Sequence, residues 1–328
     1  MNDTSTDDND LIELTRDEWL DMLRVTGDKQ GHFKTLGRAH SAILSNEGTS
    51  LLVSFENADT ILEKSEDGMP MGMSLAESHG WSQLTLLSHD RSWFRDQAVY
   101  DYFDRLVDDG FFDDYDEVVF FGAGSCGYAA AAFSVTAPGA SVLALSPQAT
   151  LAPEHASWDP RFIAQRRQDF SSRYGYAPDM CDAAKEVFLI YDPLVEQDAM
   201  HAALFSGANV TRLHACHLGA NPEFALENLG ILDNLIEALM EGQLTQPLFS
   251  RLFRARHQNR DWLLQFLKHL QRQKQPYRIA RLCQHVLSTR NWPQFRRALA
   301  AASQSLEKHG IASPAPKQTS TDTDAAAS

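Results

Sequence analysis

The sequence predicts an α/β protein with a mainly parallel open sheet and a C-terminal helical extension. Three observations carry this. From about residue 40, short apolar runs alternate with stretches of helical periodicity, the pattern of a sheet covered on both faces. After about Asn221 the pattern is helical throughout. Between the two ends, residues 117–133 run from an apolar strand through a glycine-rich turn into an alanine-rich helix.

In chain order, residues 1–35 read as a polar N-terminal tail and a short helix. Thr15 serves as the candidate N-cap for Asp17-Glu18-Trp19. Residues 41–45 and 51–55 read as strands joined through Asn46-Glu-Gly48, a plausible hairpin. A strand at 84–88 precedes a helix at 97–107, with Val99, Tyr102, Phe103 and Leu106 at helical spacing and Asp96 as candidate N-cap. Further strands follow at 118–121, 142–146, 187–191 and 210–216, with a helix at 196–205. Residues 36–240 thus form the sheet domain, 241–311 a basic helical extension and 312–328 a disordered tail rich in Ser, Thr, Ala and Pro. The helical pair at 275–306 resembles hairpin repeats of the tetratricopeptide kind, with too few units to define a repeat.

Composition limits the function classes. The chain has 328 residues and is 43% hydrophobic, enough for one substantial core. No run approaches the roughly 18 apolar residues of a membrane span, and no secretory leader is recognisable, so a cytoplasmic setting without membrane partners is expected. The net charge of −15 is uneven: residues 251–300 hold twelve Lys or Arg against the single acid Asp261. That asymmetry points to a homo-oligomer or a partner docking through the basic tail, and nothing in it singles out nucleic acid. Four cysteines without a CxxC pair indicate neither zinc nor a redox motif. His214, Cys216 and His217 are close in sequence, but strand alternation turns His217 away from the other two, so no metal is expected.

The glycine turn, Gly122-Ala-Gly-Ser-Cys-Gly127, has two readings. Gly122, Gly124 and Gly127 spell GxGxxG, but the dinucleotide reading requires an acid at the end of the next strand, which ends instead in Leu145-Ser146-Pro147-Gln148. No cofactor is therefore expected. Centred on Ser125, the turn is a strand-to-helix elbow presenting a nucleophile, and the acid and histidine it requires follow in order after later strands. Asp192 follows the strand at 187–191 and His217 the strand at 210–216, with Asp198 as an alternative acid.

The strand order, this elbow, Asp192-Pro-Leu-Val and His217-Leu-Gly resemble the α/β-hydrolase superfamily over residues 36–240. Within it the chain is similar to an uncharacterised bacterial group with a Phe-Gly-x-Ser-x-Gly-Gly-Tyr-Ala-Ala elbow. The matching words here are Phe121-Gly-Ala-Gly-Ser-Cys-Gly-Tyr-Ala-Ala130, Pro138-Gly-Ala140 and Ser146-Pro-Gln148. Matched without a gap, that group's serine falls on Gly124, whereas the frame centred on Ser125 places Ala123 at the first elbow position.

The resemblance implies a serine hydrolase acting on a small-molecule ester or thioester. Ser125 would be the nucleophile, His217 its base and Asp192 the orienting acid. The Cys126 amide would hold the oxyanion, with a second donor from the Glu56-Asn57 loop. Trp93, Arg95 and Gln148 are the candidate substrate contacts. The stretch 151–170, with Trp158, Asp159, Arg161, Arg166 and Arg167, reads as a lid or a source of cations for an acidic acyl donor. The alternative function is a catalytically silent module of the same fold, used for binding or scaffolding.

Overall fold

The computed structural model describes residues 15–315 except 66, 91 and 220. The expectations for the first fourteen residues and for the tail beyond residue 315 lie outside the described residues. The chain divides into two compact units, Met1–Ala255 and Arg256–Ser328. The boundary therefore falls later than the expected 240, because α11 (Gln246–Leu252) belongs with the sheet unit.

The first unit begins with α1 (Arg16–Gln30), β1 (Gly31–Leu36), β2 (His40–Ser45) and β3 (Ser50–Asn57), followed by α2 (Ala58–Lys64), α3 (Met71–His79), β4 (Ser82–Ser88) and α4 (Gln97–Asp108). Its middle holds β5 (Glu117–Ala123), α5 (Ser125–Phe133), β6 (Ser141–Leu145), α6 (Pro153–Ala156), α7 (Ala177–Met180) and β7 (Glu186–Tyr191). Then come α8 (Glu196–Leu204), β8 (Val210–His214), α9 (Pro222–Asn228), α10 (Leu232–Met240) and α11. Among the described residues the strands form one eight-stranded sheet in the order β1-β2-β4-β3-β5-β6-β7-β8. Only β2 runs against the others, since it is antiparallel to both β1 and β4 while β3 to β8 pair in parallel.

Local chemistry explains the helix starts. Thr15 caps α1 in a full capping box, its hydroxyl accepting from the Glu18 amide while the Glu18 carboxylate accepts from the Thr15 amide at 2.8 Å. Asp96 caps α4 through the Ala98 amide at 2.8 Å. The hairpin expected between β2 and β3 does not form. β4 lies between them, and β2 makes its hairpin with β1, a strand whose Gly-His-Phe-Lys-Thr-Leu carries no apolar run.

Every residue of β4 and β6 is buried, as parallel strands covered on both faces require. On one face Phe133 of α5 stacks 4.5 Å from both Phe103 of α4 and Tyr174, and 5.6 Å from Phe55 of β3. On the other, Trp19 and Leu23 of α1 pack with Ile43, Ile61, Met73 and Leu87. A buried polar ladder crosses β3 and β4: Ser54 Oγ lies 3.0 Å from Thr85 Oγ1, and Thr85 donates to Gln83 at 2.6 Å.

The second unit contains α12 (Arg260–Arg272), α13 (Pro276–Leu287) and α14 (Pro293–Lys308). Leu263, Leu267, Ile279, Cys283, Phe295 and Leu306 form its core, and Gln284 Nε2 holds the carbonyl of Pro314 at 2.9 Å. No helix among the described residues is long and apolar enough to cross a membrane.

The β5–α5 turn is a close backbone approach. A Cβ added at Gly122 would meet the Cys126 carbonyl oxygen at 2.3 Å, backbone against backbone. Gly122→Ala is expected to destabilise the fold by more than about 2 kcal/mol, as overpacking against a fixed main chain does. Urea denaturation of the variant against wild type checks this.

Candidate functional site

The elbow places Gly124, not Ser125, at its apex. Gly124 has φ 58° and ψ −118°, a sparsely populated region, and Ser125 is the first residue of α5. The helical ladder starts when the Tyr128 amide donates to the Gly124 carbonyl at 2.9 Å. The amides of Ser125, Cys126 and Gly127 precede it and have no carbonyl within the helix to serve. The Cys126 amide is thus second in the helix, and the amide directly after the apex is that of Ser125.

This helix start borders a cleft of about 580 Å³ at the carboxyl ends of β3, β5 and β6. Gly124, Ser125, Cys126, Glu56, Asn57, Trp93 and Gln148 all line it. Among the described lining residues are neither Asp192 nor His217. Asp192 is 2% exposed, and its carboxylate accepts from the Leu194 amide at 3.0 Å and the Gly219 amide at 2.9 Å. It therefore ties the end of β7 to the loop that carries His217, which has a left-handed φ of 68°.

Glu56 and Asn57 border the cleft with side chains used as caps. Glu56 accepts from the Met71 and Gly72 amides at 2.9 and 2.8 Å and from Ser54 Oγ at 3.0 Å, closing the start of α3. Burial nevertheless raises its pKa, with the three hydrogen bonds opposing. Asn57 caps α2 through the Asp59 amide at 3.0 Å.

Trp93 and Gln148 stand where substrate contacts were expected, with Trp93 Nε1 donating to Gln148 Oε1 at 3.0 Å. Trp93 and Phe94 both have positive φ, 51° and 55°. Their turn is braced by Ser92, whose Oγ accepts from the Phe94 amide at 3.2 Å and lies 2.5 Å from His40 Nε2. Burial lowers the His40 pKa to about 4, so this ring is neutral at physiological pH. The turn that brings Trp93 into the cleft sends Arg95 away from it, which corrects the expectation for Arg95. Its guanidinium donates to the Asp169 carbonyl at 2.7 Å and stacks over Tyr100 at 5.0 Å.

The alternative acid, Asp198, does line the cleft, but Arg161 Nη1 donates to its Oδ1 at 2.7 Å. Arg161 also grips Asp159 through Nε and Nη2 at 2.8 to 3.1 Å. Behind them His201 Nδ1 accepts from the Ala149 amide at 3.2 Å, which leaves the proton on Nε2 for Asp159 Oδ2 at 3.0 Å. Within 151–170, Arg161 is thus committed to carboxylates of its own chain and Arg166 Nη2 to the Ala156 carbonyl at 2.8 Å. Two of the three cations foreseen for an acidic donor, Arg161 and Arg166, are used internally.

Glu223, at the start of α9, was not foreseen. It lines the cleft near Glu56 and Cys126; burial, then the Glu56 charge, push its pKa up to about 7. Burial and the same two carboxylates drive the Cys126 thiol well above its usual pKa, so it is no nucleophile. The sequence signal for Glu223 is faint: an acid in the first turn of a helix reads as an ordinary dipole partner.

The strand order, the single reversed strand and the sharp β5–α5 elbow define an α/β-hydrolase fold. No protein-family model matches the chain, and no curated protein matches it. Among solved structures it is similar to carboxyl esterase 2 from the mycorrhizal fungus Tuber melanosporum, at 12% identity over 68% of this chain and 86% of that one, TM-score 0.39. It is also similar to EstE1, a thermostable carboxylesterase from a metagenomic library, at 11% identity over 71% and 99%, TM-score 0.41. A third likeness is to the capsule O-acetyltransferase of Neisseria meningitidis serogroup A, at 10% identity over 62% and 94%, TM-score 0.38. At such identities and scores these likenesses assign no activity; the fold stands on the strand order.

Glu223 supplies a pH test. Its carboxyl pKa is raised in the folded state, from 4.5 to about 7, so the folded chain binds the proton more tightly than the unfolded one. Stability from this group is complete below about pH 4.5 and lost as pH rises through 7. Glu223→Gln is expected to stabilise the protein by about 1–3 kcal/mol at pH 8 and to be neutral near pH 4.5. Thermal unfolding of both proteins across that range checks it.

Proposed function

We propose that the chain is an α/β-hydrolase-fold protein that receives an acyl ligand in the cleft without attacking it through the elbow. The observation carrying this reading is the apex itself: where a serine side chain would enter the cleft there is Gly124, in the strained conformation such a residue adopts. The first amides of α5 remain, and they suit an acceptor oxygen, which the neighbouring aromatic wall of Trp93 and Phe162 fits to an acyl group. Recognition of an acyl carbonyl needs these donors and no nucleophile. The cytoplasmic setting and a partner or second copy docking through the basic second unit belong to the same proposal.

A second reading retains serine chemistry one residue later. It is favoured by Ser125 lining the same cleft. In it Ser125 Oγ bonds to the acyl carbon as His217 takes its proton. The leaving group departs with that proton, Asp192 steadies the imidazolium, and water then releases the acid.

A fluorophosphonate probe separates the two. Under the first reading the folded wild type is not labelled, and Gly124→Ser, whose added Cβ would meet nothing within 4 Å, gains labelling. Labelling of the wild type that Ser125→Ala abolishes would overturn the first reading and support the second.

A further inference from the structure

The cleft wall beside the β5–α5 elbow, where the Gly124 amide bonds the Leu145 carbonyl at 2.8 Å and Ser146 follows directly, contains two buried polar atoms without a hydrogen bond of normal geometry. Ser146 is 4% exposed and Asp198 2%, both line the cleft, and Ser146 Oγ and Asp198 Oδ2 have no hydrogen-bond partner. Ser146 also holds φ 43°, a left-handed conformation unusual for serine. Burial raises the Asp198 pKa, opposed by Arg161 and by the nearby Ser146 hydroxyl, which does not reach hydrogen-bonding geometry with it. Leaving a buried acceptor unpaired is costly, so such a pair calls for a donor from outside the chain.

Charge narrows the donor. Glu56, Asp59, Glu63, Asp198 and Glu223 line the cleft against Lys64 and Arg161. Arg161 is consumed by Asp159 and Asp198, and the Lys64 ammonium sits 5.5 Å over the Phe224 ring. The wall therefore carries more carboxylates than cations, while the α5 N-terminus beside Ser146 offers backbone donors. A ligand complementary to both is polarised: an acceptor oxygen at one end, a positively charged donor at the other.

Resting on the reading of the cleft as an acyl site, we propose that the acyl ligand carries a protonated amine, with the ammonium held by Asp198 Oδ2 and Ser146 Oγ and the carbonyl at the α5 amides. The class is an aminoacyl ester or amide. Glu223 adds long-range attraction for the same charge. Carboxylate-bearing acyl groups are excluded by the wall.

Calorimetric titration of the full chain with leucinamide, its desamino analogue 4-methylpentanamide, and 4-methylpentanoate tests this. Leucinamide is expected to bind about tenfold tighter than the desamino amide, the worth of one charge-assisted hydrogen bond, and the carboxylate not at all. Ser146→Ala and Glu223→Gln should each reduce that preference without abolishing binding of the neutral amide. Asp198→Asn should remove it, and where loss of the Arg161 partner prevents folding the other two variants decide. Equal binding of the two amides, a preference for the carboxylate, or a preference that no variant alters overturns the aminoacyl assignment and leaves an acyl cleft. Failure of all three compounds to bind at millimolar concentration overturns both.

Discussion

Everything at the site depends on one backbone constraint: β5 must reverse into α5 within a single residue while remaining paired with β6. The Gly124 amide still donates to the Leu145 carbonyl at 2.8 Å, and four residues later the helix is under way. Only an unusual torsion at residue 124 accomplishes this, and only a bare Cα at 122 leaves room for the Cys126 carbonyl. The result is a rigid helix N-terminus at the centre of the sheet, with its first amides facing outward. The apolar stack of Phe133 on Phe103 and Phe55 fixes α5 from beneath, so the donors do not move.

The remaining walls are built from charges the protein compensates before any ligand arrives. Glu56 is buried but spends its charge on the start of α3, and Gly72 makes this possible, since a Cβ there would strike Ser54 Oγ at 2.1 Å. Arg161 lies between two buried carboxylates, and His201 enters as a neutral ring with its tautomer fixed by the Ala149 amide. Burial takes the His201 pKa to about 4, which keeps the network from acquiring a second cation at neutral pH. Asp198 Oδ2 and Ser146 Oγ, both bordering the cleft, are left without a hydrogen bond of normal geometry.

Much of this was legible in the sequence where the cause is local. Thr15 and Asp96 cap the helices expected of them, and the apolar runs mark the parallel strands because strands covered on both faces must be apolar throughout. Nonlocal causes were hidden. β1 is an edge strand in which only Leu36 is buried, so it left no apolar run, and β2 was assigned to β3 because sequence neighbours usually pair. Arg95 was misplaced because two consecutive left-handed residues, Trp93 and Phe94, rotate the chain between it and the cleft, and nothing in Trp-Phe announces that conformation. The pairing of Arg161 with Asp198 spans 37 residues and is set by how α8 packs, which no local pattern records.

The apex residue itself links energetics to function. In this fold a serine at the elbow holds a torsion unfavourable for any residue with a side chain, and active sites retain such strain because the projected hydroxyl requires it. Glycine adopts the same torsion at little cost, so the strain of about 1 kcal/mol or more that a serine would store is absent here. The turn geometry has nevertheless been kept, together with the outward amides and the unusual Ser146 at the end of the neighbouring strand. The space beyond Gly124 is open, so the strand-to-helix reversal fixes the torsion but no side-chain packing fills the apex. Under the proposed reading, that open space and the amides beside it receive the ligand.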